Sequence, residues 1–311
     1  MKTPVPLWML AAASVACSPA HGAPGAAPTR PSSVVASGSA ARGTLFIVGG
    51  GAQPRELVAR FVALAGGAGH ARIAVLPMAS AEAEESGRGK VQELQGLGAD
   101  AFALNLTRAE AESDSVTRLL EGASAIWFPG GDQARLTTVL RGTAALRAIL
   151  ARYRAGAIVG GTSAGAAIMS DSMITGDQIR AGEDTSGYFG DEYPRVARRA
   201  IIVVPGFGLL PGAIVDQHFI RRERHNRLLA VVLERPAMLG VGIDEGTALR
   251  VDPNGMWAIE GASAAVVYDA RAARVTAAGA PALGAADVRI HVLPAGSTFD
   301  PRTGRARLPR E

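Results

Sequence analysis

Cysteine is all but absent: Cys17 stands alone in 311 residues. An intrachain disulfide is excluded, and so are a cysteine nucleophile and a thiolate metal site in the body of the chain. Aromatic residues make up only 5%. No run rich in Lys and Arg carries interleaved aromatics, which argues against nucleic acid as a partner. The formal net charge of +4 is modest for this length and decides nothing by itself. Long apolar runs are missing too. The run from Leu7 to Ala16 is too short to cross a bilayer as a helix.

That run follows Lys2 and precedes small residues, the pattern of a secretory signal over residues 1–22. Cys17 directly follows Ser14-Val15-Ala16, a placement similar to that of the lipidated cysteine in bacterial lipoproteins. Simple cleavage near Ala20-His21-Gly22 is the other option. Either route puts the mature protein outside the cytoplasm, secreted or periplasmic, with membrane contact only through a lipid on Cys17. Residues 23–42, rich in Pro, Ser, Gly and Ala, read as a flexible tether. One α/β domain is expected over residues 43–311, and 48% hydrophobic residues supply ample core for it.

Short apolar runs alternate with helical patterns. Thr44 to Val48 is the first strand, ending in Gly49-Gly50-Gly51, which reads as a tight strand-to-helix turn. Glu56 to Ala65 is helical, Arg72 to Pro77 a buried strand, and a helix near Val91 to Leu97 leads to a strand at Ala101 to Leu104. Ser113 to Leu120 is helical, Ala125 to Phe128 extended, and Leu136 to Tyr153 one or two helices. This order implies a doubly wound, mainly parallel sheet flanked by helices. Ser170 to Pro194 shows no regular pattern and holds the acidic residues Glu183, Asp184, Asp191 and Glu192. Strands follow at Ala200 to Val204 and Leu239 to Ile243, then extra β segments from Arg250 to Leu293. The tail beyond Pro294 reads as polar surface.

Chemistry concentrates at Gly160-Gly161-Thr162-Ser163-Ala164-Gly165-Ala166, a Gly-x-Ser-x-Gly between a strand and a helix. Such a turn thrusts the serine above the sheet, and the helix start aims amides at an oxyanion. Ser163 is the candidate nucleophile and Ala164 N–H one oxyanion donor. Pro129-Gly130-Gly131-Asp132-Gln133, at the end of the neighbouring strand, offers Gly131 N–H as the second donor and Gln133 to orient substrate. Asp132 reads as the cap of the next helix. His218, beside a polar pair at the end of an apolar run, is the candidate base; His70, His225 and His291 lack such surroundings. Glu245, at a strand end, and Asp216, two residues before His218, compete as the acid that orients it. Arg221, Arg222, Arg224 and Arg227 are either a solvated helix start or a carboxylate clamp, and their position just after His218 favours the clamp.

Four motifs in order, around Gly130, Ser163, His218 and Glu245, resemble the cyanophycinases, serine peptidases related to peptidase E with a glutamine-amidotransferase-like fold. The resemblance runs from about Gly43 to Val267. It implies Ser163 as nucleophile, His218 as base and Glu245 as the orienting acid. It assigns Gln133, Asp216, Gln217, Arg222, Arg224 and Arg227 to substrate binding or pocket structure. It also implies the substrate, cyanophycin, a poly-aspartate with arginine on each β-carboxyl, cut to β-Asp-Arg dipeptides by exo-action. A homodimer without cofactor or metal is expected on the same ground. An aspartyl dipeptidase of the peptidase E type and a non-catalytic peptide-binding envelope protein are the alternatives. The order Ser, His, Glu departs from the Ser, Asp, His of lipases and esterases.

Overall fold

The computed structural model describes residues 43–178 and 196–310. The expected signal, the tether, Cys17 and the acidic cluster Glu183, Asp184, Asp191 and Glu192 lie outside the described residues. The first half alternates strand and helix: β1 (Thr44–Val48), α1 (Arg55–Leu64), β2 (Arg72–Val75), α2 (Ala83–Gln95) and β3 (Asp100–Ala103). It continues with α3 (Asp114–Glu121), β4 (Ala125–Phe128), α4 (Gln133–Leu140), α5 (Ala144–Arg154), β5 (Ile158–Thr162) and the short α6 (Ala164–Ala167). Side-chain oxygens of Ser113, Asp132 and Thr143 cap α3, α4 and α5 by accepting from backbone amides of their first turns.

The second half opens with β6 (Ser172–Gln178), β7 (Ile201–Pro205), β8 (Ala213–Gln217), α7 (His225–Glu234) and β9 (Leu239–Ile243). Strands alone follow: β10 (Thr247–Val251), β11 (Trp257–Gly261), β12 (Ala264–Asp269), β13 (Arg274–Val275) and β14 (Ala285–Ala286). The last are β15 (Arg289–Pro294), β16 (Thr298–Asp300) and β17 (Arg305–Arg307).

A nine-stranded sheet has the order β17-β16-β11-β10-β1-β5-β4-β2-β3. From β1 to β3 every pairing is parallel, and from β1 outward through β10 every pairing is antiparallel. Alternate residues of β1 feed opposite faces. Leu45 and Ile47 join one core, while Phe46 and Val48 join another with Trp127 and Phe61. A separate four-stranded sheet, β15-β12-β9-β8, contributes Val215, Val241 and Val267 to the same core as Ile47 and Val159. The two sheets therefore face each other across it, and α7 covers the far side of the second through Leu228, Val231 and Val232.

Several expectations need correction. Helix α2 starts at Ala83, well before Val91, because Gly87 permits a close approach: a Cβ there would lie 3.1 Å from Pro77 Cγ and 3.2 Å from Ala103 Cβ. Residues 172–178 are a strand paired with β7, although their composition carries no period. The tail beyond Pro294 is not all surface. It adds β16 and β17 to the sheet edge and buries Phe299 fully against Trp257, a side chain worth about 1.5–3 kcal/mol of burial.

Candidate active site

Ser163 sits on the turn between β5 and α6 with φ 53° and ψ −112°. A non-glycine residue in the left-handed region carries about 1–3 kcal/mol of strain, which the surroundings must hold in place. They do so by excluding side chains. A Cβ on Gly161 would lie 2.7 Å from Gly165 O and 2.9 Å from Phe128 O, and one on Gly165 would overlap Phe128 O. Both glycines of Gly-x-Ser-x-Gly are thus fixed by backbone crowding against the end of β4.

His218 follows β8 and also takes a positive φ, 50°. Its Nε2 lies 2.9 Å from Ser163 Oγ and its Nδ1 2.6 Å from Glu245 Oε1. A carboxylate only accepts, so Nδ1 carries the proton and Nε2 is left to accept from the serine hydroxyl. Burial holds the His218 pKa below its ordinary value. The Glu245 hydrogen bond and charge oppose that shift, whereas the Arg222 and Arg224 cations add to it. The imidazole is accordingly neutral and basic near neutral pH.

The end of β1 joins these groups. Val48 O accepts from Ser163 N at 3.1 Å, Gly49 O from His218 N at 2.6 Å, and Gly50 O from Gly246 N, next to Glu245, at 2.9 Å. Three consecutive carbonyls therefore set the spacing of serine, histidine and acid. Gly50 (φ 111°) also forms the floor under the imidazole: a Cβ there would overlap Cε1 and Nε2 and lie 2.8 Å from Nδ1. A Cβ on Gly51 would lie 2.7 Å from Glu245 Oε2. Reading Gly49-Gly50-Gly51 as a simple turn missed this role, although the glycine triplet was the signal. Asp244 was missed as well. Its Oδ1 accepts from Ile220 N (3.1 Å) and Arg221 N (2.9 Å), and its Oδ2 from Ser263 Oγ (2.8 Å), so it ties down the turn after His218.

The Pro129 to Asp132 turn flanks the nucleophile. A Cβ on Gly130 would lie 3.3 Å from Ser163 Cβ, and Asp132 N donates to Ala79 O at 2.9 Å. Gly131 (φ 139°) can carry no Cβ, which would overlap Ala79 O. Among the described residues neither Gly131 N–H nor Ala164 N–H has an acceptor. Asp132 caps α4 through Ala134 N at 2.8 Å.

The remaining predicted residues divide by burial. Gln133 is buried, and its Nε2 donates to Ile174 O (2.9 Å) and Thr175 O (2.6 Å) of β6. Asp216 is fully buried, and Arg227 donates to it through Nε at 2.8 Å and through Nη2. Arg224, also buried, donates to Gln217 O at 3.0 Å with its Nη1 4.0 Å from Asp216 Oδ1. Asp216 thus meets arginines while Glu245 meets His218, which separates the two competing acids by geometry. Arg227 is 1% exposed and belongs to the frame, leaving Arg221 and Arg222 as the exposed members of the four arginines. Gln217 is buried beside His218 with its Oε1 unbonded among the described residues.

Residues 45–257 match Peptidase family S51. The chain is 33% identical over 269 residues to the cyanophycinase of Trichormus variabilis, covering 82% of this chain and 85% of that one. It is 32% identical over 272 residues to the cyanophycinase of Geminocystis herdmanii, covering 84% and 95%. The crystal structure of a peptidase from an acI-B1 Actinobacterium superposes with a TM-score of 0.60 over 84% of this chain and 98% of that one. At 20% identity that likeness concerns the fold.

Proposed function

This chain belongs to peptidase family S51 and is a serine-type peptidase, and on that footing we propose that it cleaves cyanophycin, multi-L-arginyl-poly-L-aspartate, to β-Asp-Arg dipeptides. The observation that carries the chemistry is the line Ser163 Oγ, His218 Nε2, His218 Nδ1, Glu245 Oε1, with contacts of 2.9 and 2.6 Å. The polymer as substrate is supported by the relatives, which are cyanophycinases covering more than four-fifths of the chain.

Ser163 Oγ attacks the scissile carbonyl as its proton passes to His218 Nε2. Glu245 keeps the proton on Nδ1 and stabilises the imidazolium. The oxyanion rests on Gly131 N–H and Ala164 N–H, donors of the kind worth on the order of 10²–10³ in rate each. His218 then protonates the leaving amine, and water, deprotonated by the same nitrogen, releases the acyl group from Ser163. Arg222 is placed to attract a carboxylate of the arginyl branch, while Gln133, Asp216, Gln217, Arg224 and Arg227 shape the pocket wall.

The test is release of soluble dipeptide from insoluble cyanophycin by wild type beside Ser163→Ala. Release of β-Asp-Arg by wild type alone is expected. Intact polymer with Ser163 still labelled by a serine-directed reagent removes the substrate and keeps the hydrolase. We also place the mature enzyme outside the cytoplasm, released by signal cleavage or lipidated on Cys17; a cell fractionation that finds it in the cytosol removes this. A homodimer is proposed from the family resemblance, and a monomer mass by light scattering refutes it.

A further inference from the structure

Beside the nucleophile, a cavity of about 580 Å³ lies over the carboxyl ends of β4, β2 and β3. Its floor includes Met78, Leu106 and Val139, and its rim carries Ser80, Asp132 and Arg135. Its lining reaches Asp132, at the end of the turn that flanks Ser163. Gly131 packs against Ala79 and Ser80, and Asp132 directly follows the candidate oxyanion donor. We propose that this shelf is a second binding site that holds the repeats of the cyanophycin chain next to the pair being cut. The inference rests on the substrate reading above and extends it from the scissile bond to the polymer.

The chemistry is complementary at each point. Every branch of the polymer ends in a guanidinium and a free carboxylate, separated from the backbone by methylenes. Asp132 and Arg135, one helical turn apart at the start of α4, present both opposite charges on one exposed rim. Asp132 uses Oδ1 as the cap of α4, and among the described residues Arg135 makes one long contact, 3.4 Å, to Ser80 O. Both are exposed and neither belongs to a buried ion pair. The apolar floor suits the methylene stems of arginyl arms. Dimensions agree as well. Strands spaced about 4.8 Å apart put β3 three spacings, ~14 Å, from β5. An extended backbone advancing about 3.5 Å per residue covers that span with roughly four aspartyl units.

The test compares two substrates, soluble long-chain cyanophycin and the two-repeat compound (β-Asp-Arg)₂, whose cleavage leaves nothing to reach the shelf. For Arg135→Glu the ratio of kcat/KM on the long over the short substrate should fall about fivefold, the upper end of what one exposed ion pair contributes. The change should lie in KM rather than kcat. Ala134→Trp, which fills the shelf from an exposed position, should lower the same ratio, and melting curves establish that both variants fold. A ratio equal to wild type in both folded variants overturns the shelf alone. A wild type that leaves the polymer intact while cutting other peptides overturns the substrate reading, and this inference with it.

Discussion

Replacing Gly50 by alanine is a small change in sequence that should disable the enzyme. The new Cβ would lie 2.8 Å from His218 Nδ1 and overlap Cε1 and Nε2, where ordinary contact begins near 3.4 Å. The residue has no room to yield, because Gly50 O holds Gly246 and the preceding carbonyl holds His218 itself. The imidazole must therefore retreat by roughly 1 Å, a misplacement of the size that costs on the order of 100-fold in rate. Alanine at φ 111° adds backbone strain of about 1–3 kcal/mol. Gly67→Ala separates these effects. Gly67 has φ 82°, and a Cβ there would meet nothing within 4 Å, so its variant bears strain without touching the site. Steady-state kcat/KM and thermal melts on both variants make the assay. Both should melt lower, and only Gly50→Ala should lose about two decades of kcat/KM. Equal kcat/KM in the two variants would refute the claim that β1 sets the histidine.

The acid limb of kcat/KM should have its midpoint below the ordinary histidine value of about 6.5, because the neutral imidazole is the active base and burial favours that form. Arg222→Gln removes a depressing cation and should move the midpoint up, whereas Glu245→Gln removes both opposing influences and should move it down; pH–rate profiles check both signs. Glu245→Gln should also lower kcat on the order of 10⁴-fold, since the favoured tautomer is lost. Arg227→Ala strips the buried Asp216 of its two-pronged partner and leaves the longer 4.0 Å approach of Arg224; the loss should be about 3–5 kcal/mol of stability, read by denaturant melts. A substrate clamp would instead raise KM in a fully stable protein. Phe299→Ala should cost about 3–5 kcal/mol, and an unchanged melting point would show that β16 is only a surface appendage.

Much of the fold follows from short apolar runs that end in turn-forming or polar residues, as at Thr44 to Val48, Ala125 to Phe128 and Leu239 to Ile243. Such a run identifies a buried strand but not its partners. That β1 and β5 lie in one sheet while β8 and β9 lie in another could not be read from residues alike in composition. The nucleophile was legible because its constraint is local: strand, two glycines and helix sit within a few residues of Ser163. The roles of Asp216 and Asp244 were not. Each depends on which backbone amides or guanidinium groups arrive from distant segments, and an aspartate two residues from a histidine looks the same whether it faces the imidazole or Arg227.

The three carbonyls at the end of β1 have a consequence for when activity can arise. The elbow around Ser163 and its supports in β1, β4 and β5 belong to the alternating strand–helix half of the chain, although Phe207 N and Val215 N of the second half donate to Ile168 O and Ser170 Oγ just behind it. The base and its carboxylate come from the other sheet, and they meet the serine only when His218 and Gly246 reach Gly49 and Gly50. Contacts so remote in sequence carry a loop-closure cost that slows folding. Until the two sheets meet, therefore, the serine has no base beside it.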